Sequence, residues 1–184
     1  MSERLPGRDA VIAFWFEELE PAQWFRKDEE LDGKVRERFT TLHHAAAAGE
    51  LWQWRDTPRG RLAEILVLDQ FSRNLFRDDA RAFAQDPMAL VLAQEAVAKG
   101  HDQELEVHWR SFLYMPYMHS ESLAVHGEAL RLFDQPGLED NLRFEHLHHD
   151  ILLRFGRYPH RNAILGRESS DEEQAFLKQP GSSF

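Results

Sequence analysis

Apolar residues recur at steps of three and four along nearly the whole chain, and nowhere do they alternate with polar ones over a strand's length. That spacing lines one face of an α-helix and argues against half-buried strands. The breaks fall at proline, glycine and capping residues, which set the helix limits. Asp9 caps a first short helix carrying Val11, Ile12, Trp15, Phe16 and Leu19, stopped by Pro21. Asp28 opens a second, with Leu31, Val35, Phe39, Leu42 and Ala46 on one stripe and Gly49 at its end. Thr57-Pro58 opens a third that runs to about Phe76, and Asp86-Pro87 a fourth that ends at Gly100. Trp109 to Met115 reads as a short helix interrupted at Pro116, and Ser120 caps the next, through Leu130 and Phe133 to Pro136-Gly137. A longer one spans about Leu138 to Phe155, with Gly156 at its C′ position, and Ser170 with Glu173 forms a capping box for the last. The reading is all-α, with about eight helices whose short loops make neighbours antiparallel. It makes one helical domain over 1–184, with an ordered core of 9–177 and a frayed tail of 178–184.

Charge and composition remove whole classes of function. Lys and Arg number 22 against 32 Asp and Glu, a net charge of −10, which argues against a nucleic-acid binder, because neutralising phosphates needs a basic face. The absence of cysteine excludes disulfides, thiol catalysis and Cys-ligated metals. Met1-Ser2-Glu3-Arg4 does not open a signal peptide, and no apolar run approaches the roughly 20 residues that cross a bilayer. The expectation is a soluble cytoplasmic protein with no membrane or nucleic-acid partner, no metal and no cofactor. Seven of the ten histidines fall between His108 and His160, which directs attention to the second half.

Three places can carry chemistry. On the third helix, Asp69 and Arg73 sit in the middle of the apolar stripe of Leu62, Ile65, Leu66 and Phe76, spaced i, i+4 with the acid first. They read either as a buried ion pair that docks helices or as the lining of a pocket, with Asp69 orienting Arg73 toward an anion. Asn74 extends the polar end of this helix, and Arg77 reads as solvated surface. The second place is Phe155-Gly156-Arg157-Tyr158-Pro159-His160-Arg161-Asn162, a stiff loop that presents Arg157, His160, Arg161 and Asn162. Arginine forks match carboxylate and phosphate geometry, while cations at a helix end also satisfy its dipole. The third is His119-Ser120-Glu121, where His119 can exchange protons and Glu121 can orient it. His148 reads as a satisfied core histidine and His43-His44 as helix surface. Phe14-Trp15-Phe16, Trp24-Phe25 and Trp52-x-Trp54 read as core aromatics, and no P-loop, G-x-S-x-G or HExxH signature occurs.

Phe14-Trp15-Phe16, Trp24-Phe25, Leu68-Asp69-Gln70-Phe71-Ser72-Arg73-Asn74-Leu75-Phe76-Arg77, Tyr114-Met115-Pro116, His119-Ser120-Glu121 and the stretch from Phe155 to Asn162 with Leu165-Gly166-Arg167, in that order, resemble the mainly bacterial family known as domain of unknown function 924. The resemblance covers about residues 10 to 177. It implies a tetratricopeptide-repeat-like array of antiparallel helix pairs and transfers no reaction. Ser72, Tyr158 and His126 depart from that family's usual proline, phenylalanine and glutamine.

Three functions fit. One is a pocket for a small phosphate- or carboxylate-bearing ligand or the acidic end of a peptide. Arg73, Arg157 and Arg161 would take the charge there, helped by Asp69, Asn74, His160 and Asn162. The second is an enzyme using His119 and Glu121 on an anionic substrate. The third is a structural ion-pair network with a protein-binding outer surface.

Overall fold

The computed structural model describes residues 5–184. Helix α1, Arg8–Ala13, runs into a π-helical turn at Phe14–Glu18. Then come α2, Glu29–Ala47, and the rod α3, made of Pro58–Leu66, a π-helical turn at Val67–Phe71 and a last turn at Ser72–Leu75. The remaining helices are α4 (Asp86–Ala98), α5 (Val107–His119), α6 (Leu123–Phe133), α7 (Glu139–Phe155) and α8 (Asp171–Leu177). Among the described residues there is no strand, and no helix is long and apolar enough to cross a membrane.

Several limits follow from local chemistry. The Asp28 carboxylate accepts from the Glu30 and Leu31 amides, and Thr57 Oγ1 from that of Gly60, satisfying donors that a helix start leaves free. Ser170 and Glu173 make the reciprocal capping box. Gly156 closes α7 at φ 71°, a left-handed conformation open to glycine. Gly60 is needed for a different reason: a Cβ there would lie 1.9 Å from the Trp54 carbonyl oxygen.

Other limits differ from the sequence reading. Gly7, not Asp9, occupies the first N-cap, with Asp9 in the opening turn. α5 continues through Pro116. Proline leaves the Phe112 carbonyl without its helical partner, but residues 111–118 are all buried, and tertiary packing holds the helix. With α5 extended to His119, Ser120 becomes its end and Ser122 takes over the next N-cap.

α3 is the hub. Its first half packs on α1, α4 and α5, and its last turn on α2. Helices α4 to α7 then pack each on the next. Phe14, Trp15, Phe39, Phe71 and Phe112 interlock at the centre, with Phe39 and Phe71 ring centres 4.8 Å apart. Phe25 and Trp52 instead lie mostly at the surface. His43 is not a surface residue: α2 turns it inward against Ser72 and Phe76, leaving 3% of it exposed. The tail after α8 folds back on the body. Ser182 is buried, and the Phe184 ring rests on His148, Tyr158 and His160.

Candidate functional site

The π-helical turn of α3 carries Asp69 with no exposed surface. Such turns insert a residue into the helical phase and are frequent at functional sites. The C-terminal end of α5 delivers His119 to it, so that His119 Nδ1–H donates to Asp69 Oδ1 over 2.6 Å. Gln70 Nε2 donates to the other carboxylate oxygen over 2.8 Å. Burial alone would raise the Asp69 carboxyl. The charges of His119 and Arg73 outweigh it and hold the group below the usual carboxylate range. His119 Nε2 has no hydrogen-bond partner among the described residues, and 13% of the side chain is exposed.

Arg73 reaches past Asp69. Its guanidinium forks onto Asp86 at the start of α4, over 2.9 and 3.1 Å, and sits 3.6 Å from Asp69 Oδ1. Burial opposes the charge on Arg73, and Asp86 and then Asp69 overcome it, raising its basicity. The stiff loop adds Arg161 to the same carboxylate, 3.6 Å from Asp86 Oδ2. Arg161 also donates to the His119 carbonyl over 2.9 Å, and its guanidinium lies over Phe83 at 4.4 Å and Tyr158 at 5.0 Å. It is 5% exposed, and its buried Nε has no partner among the described residues. Burial, and next the adjacent Arg73, lower its basicity. His160 follows the same pattern. Its buried Nδ1 has no partner among the described residues, and burial with the Arg161 and Arg73 charges pushes its pKa down to about 4.

Asp69, Arg73, His119, His160 and Arg161 are therefore brought together from three distant stretches of chain. The other candidates serve elsewhere. Asn74 donates to Asp32 over 2.9 Å, beside a fork from Arg77, and the two pin α3 to α2, so Arg77 is no solvated bystander. Arg157 forks onto Glu173 over 2.8 and 2.9 Å, and Asn162 donates to the same carboxylate over 3.2 Å. That network fastens the loop to α8 and holds the Glu173 pKa at about 2, chiefly through the Arg157 hydrogen bond. Glu121 orients Arg167 by a fork of 2.8 Å on each arm and accepts from the Tyr158 amide, so Asp69, not Glu121, orients His119.

Asp86, Phe83 and Arg167 are structural partners to which the sequence assigns no role at the site. Asp86 already had an explanation as a helix start, and only its distance to Arg73 reveals the second role. Behind the site lies a buried pair of His126 with Glu145. His126 Nε2–H donates to the Ser120 carbonyl over 2.7 Å and lies 3.1 Å from the Tyr158 hydroxyl. His126 and Tyr158 thus touch each other. Two surface grooves, one beside Arg8, Thr57 and Arg59 and one beside Gln103, Tyr114 and Gln135, share no residue with this cluster.

Residues 11–181 match the family model described as bacterial protein of unknown function, DUF924. A solved protein of unknown function from Agrobacterium tumefaciens, ATU0120, superposes with a TM-score of 0.89 at 40% identity, over 93% of this chain and 96% of that one. A comparison with curated proteins finds no match.

Proposed function

Because the chain belongs to the DUF924 family, which lends it no reaction, function has to come from the site itself, and we propose that this site binds a small anion, a phosphate or a carboxylate. Arg161 carries the reading. A buried guanidinium normally spends its donors on close partners, because desolvated charge is costly without them. Arg161 has one short hydrogen bond, a bare Nε and a second guanidinium beside it competing for Asp86. An anion at this point would receive forked contacts and relieve the crowding of like charges. The acidic end of a peptide offers the same group.

Calorimetric titration with inorganic phosphate and with acetate tests this. Arg161→Lys keeps the charge and removes the fork, and is expected to weaken binding by about tenfold, or 1.4 kcal/mol. Unchanged affinity, or no binding by the wild type, would leave the cluster as a structural lock between helices.

A second reading rests on His119. A histidine held through Nδ1 by a buried carboxylate, with Nε2 left open, has the arrangement of a general acid or base. An enzyme of this kind would move a proton to or from an anionic substrate held beside the arginines. His119→Asn would abolish turnover while leaving anion affinity intact.

A further inference from the structure

The Phe184 ring lies on a bed of three rings. Its centre is 3.8 Å from that of His148, 4.4 Å from His160 and 5.1 Å from Tyr158, which it meets edge-on. Two of the three are fixed from beneath. His148 Nδ1–H donates to the Phe144 carbonyl over 2.7 Å, and the Tyr158 hydroxyl donates to that of Met118 over 2.6 Å. The hydrogen bonds that hold His148 and Tyr158 therefore do not depend on Phe184. Phe184 is held far less firmly. Half of it is exposed, and the tail is tied back by the turn at Gly181 and one hydrogen bond from Ser182 Oγ to the Leu177 carbonyl. The Tyr158 ring is also one of the two over which the Arg161 guanidinium lies, at 5.0 Å. Phe184 and the Arg161 guanidinium thus share the Tyr158 ring as a common neighbour.

We propose that His148, Tyr158 and His160 form a recess for a planar aryl group, that Phe184 is its intramolecular occupant, and that the ligand brings its own ring to displace Phe184. Resting on the anion reading above, this makes the ligand class an aromatic carboxylate. Two imidazoles and a phenol suit an aryl group, since aromatic rings meet well edge-on or offset. The occupant makes the empty recess a minor state, so apparent affinity falls by the fraction of time it is vacant.

The test uses the full chain with phenylacetate, acetate and the uncharged phenylacetamide as calorimetric probes. Phe184→Ala lies on a half-exposed side chain and vacates the recess. Phenylacetate is expected to bind this variant about fivefold more tightly than the wild type, while acetate binds both equally. If phenylacetate gains nothing in Phe184→Ala, or binds neither form, the recess is refuted. If phenylacetamide gains as much as phenylacetate, the recess stands and the anion reading falls. If acetate responds to Arg161→Lys but phenylacetate ignores Phe184→Ala, the anion reading stands and the recess falls.

Discussion

His43 gives the fold a built-in sensitivity to acid. Ser72 Oγ–H donates to the Leu68 carbonyl over 2.5 Å, so its oxygen is free to accept from His43 Nε2–H over 2.7 Å. That fixes the tautomer and leaves Nδ1 bare. Nδ1 is buried with no partner among the described residues. Protonating it would create a charge with nothing to receive its hydrogen, and burial, with the adjacent His44, pushes the pKa from 6.5 down to about 4. Between those two values the unfolded chain binds the proton and the folded one does not. Stability therefore rises with pH across this window and is lost as the pH falls. At pH 5 the loss from His43 alone amounts to about 2 kcal/mol, and it levels off near 3 kcal/mol below pH 4. Urea melts at pH 7.5 and pH 5, on wild type and His43→Leu, read it directly. Leucine fills similar space and has nothing to protonate. At pH 7.5 the variant should lose only the one hydrogen bond, about 1 kcal/mol. Its drop in stability between the two pH values should be smaller than that of the wild type by about 2 kcal/mol. Equal drops in both proteins would show that His43 is not buried neutral and would refute the reasoning. His148, pushed to about 3 mainly by burial, and His160, at about 4, add losses of the same sign that both proteins share.

The pairing of Arg73 gives a second measurement. Its short fork goes to Asp86 and not to Asp69. A double-mutant cycle on Arg73 and Asp86 should therefore return a larger coupling than one on Arg73 and Asp69, with Asp86→Ala costing about 3 kcal/mol in urea melts. The reverse ranking would make Asp69 the true partner. Gly60→Ala should cost about 3 kcal/mol, because its Cβ would drive into the Trp54 carbonyl. A melting midpoint within a degree of the wild type would contradict that contact.

Most of the fold was legible because helices advertise themselves locally. Caps such as Asp28 and Ser170 and stripes such as Leu31-Val35-Phe39-Leu42 need no tertiary information. What escaped was set by packing. Pro116 breaks an isolated helix, yet it sits inside α5 because every residue around it is buried. At the site, Asp69, Arg73, His119 and Arg161 were readable as polar groups placed where burial demands partners. The identity of those partners was not. Asp32 captured Asn74 across 42 residues, and Glu173 captured Arg157 and Asn162 across a loop. At the site, carboxylates from other elements compete for these donors, and nothing in spacing along the chain says which will win.

The π-helical turn at Val67–Phe71 lets one rod face two ways. An α-helix advances about 100° per residue, so an extra residue in a turn resets the direction of everything after it. Ahead of the turn, α3 addresses α1, α4 and α5; after it, Asn74 and Arg77 address Asp32 on α2. Removing a single residue from this turn would restore an unbroken spiral and swing Asn74 and Arg77 about a quarter-turn off their target. This stretch of chain is therefore far more tolerant of a changed letter than of a changed count.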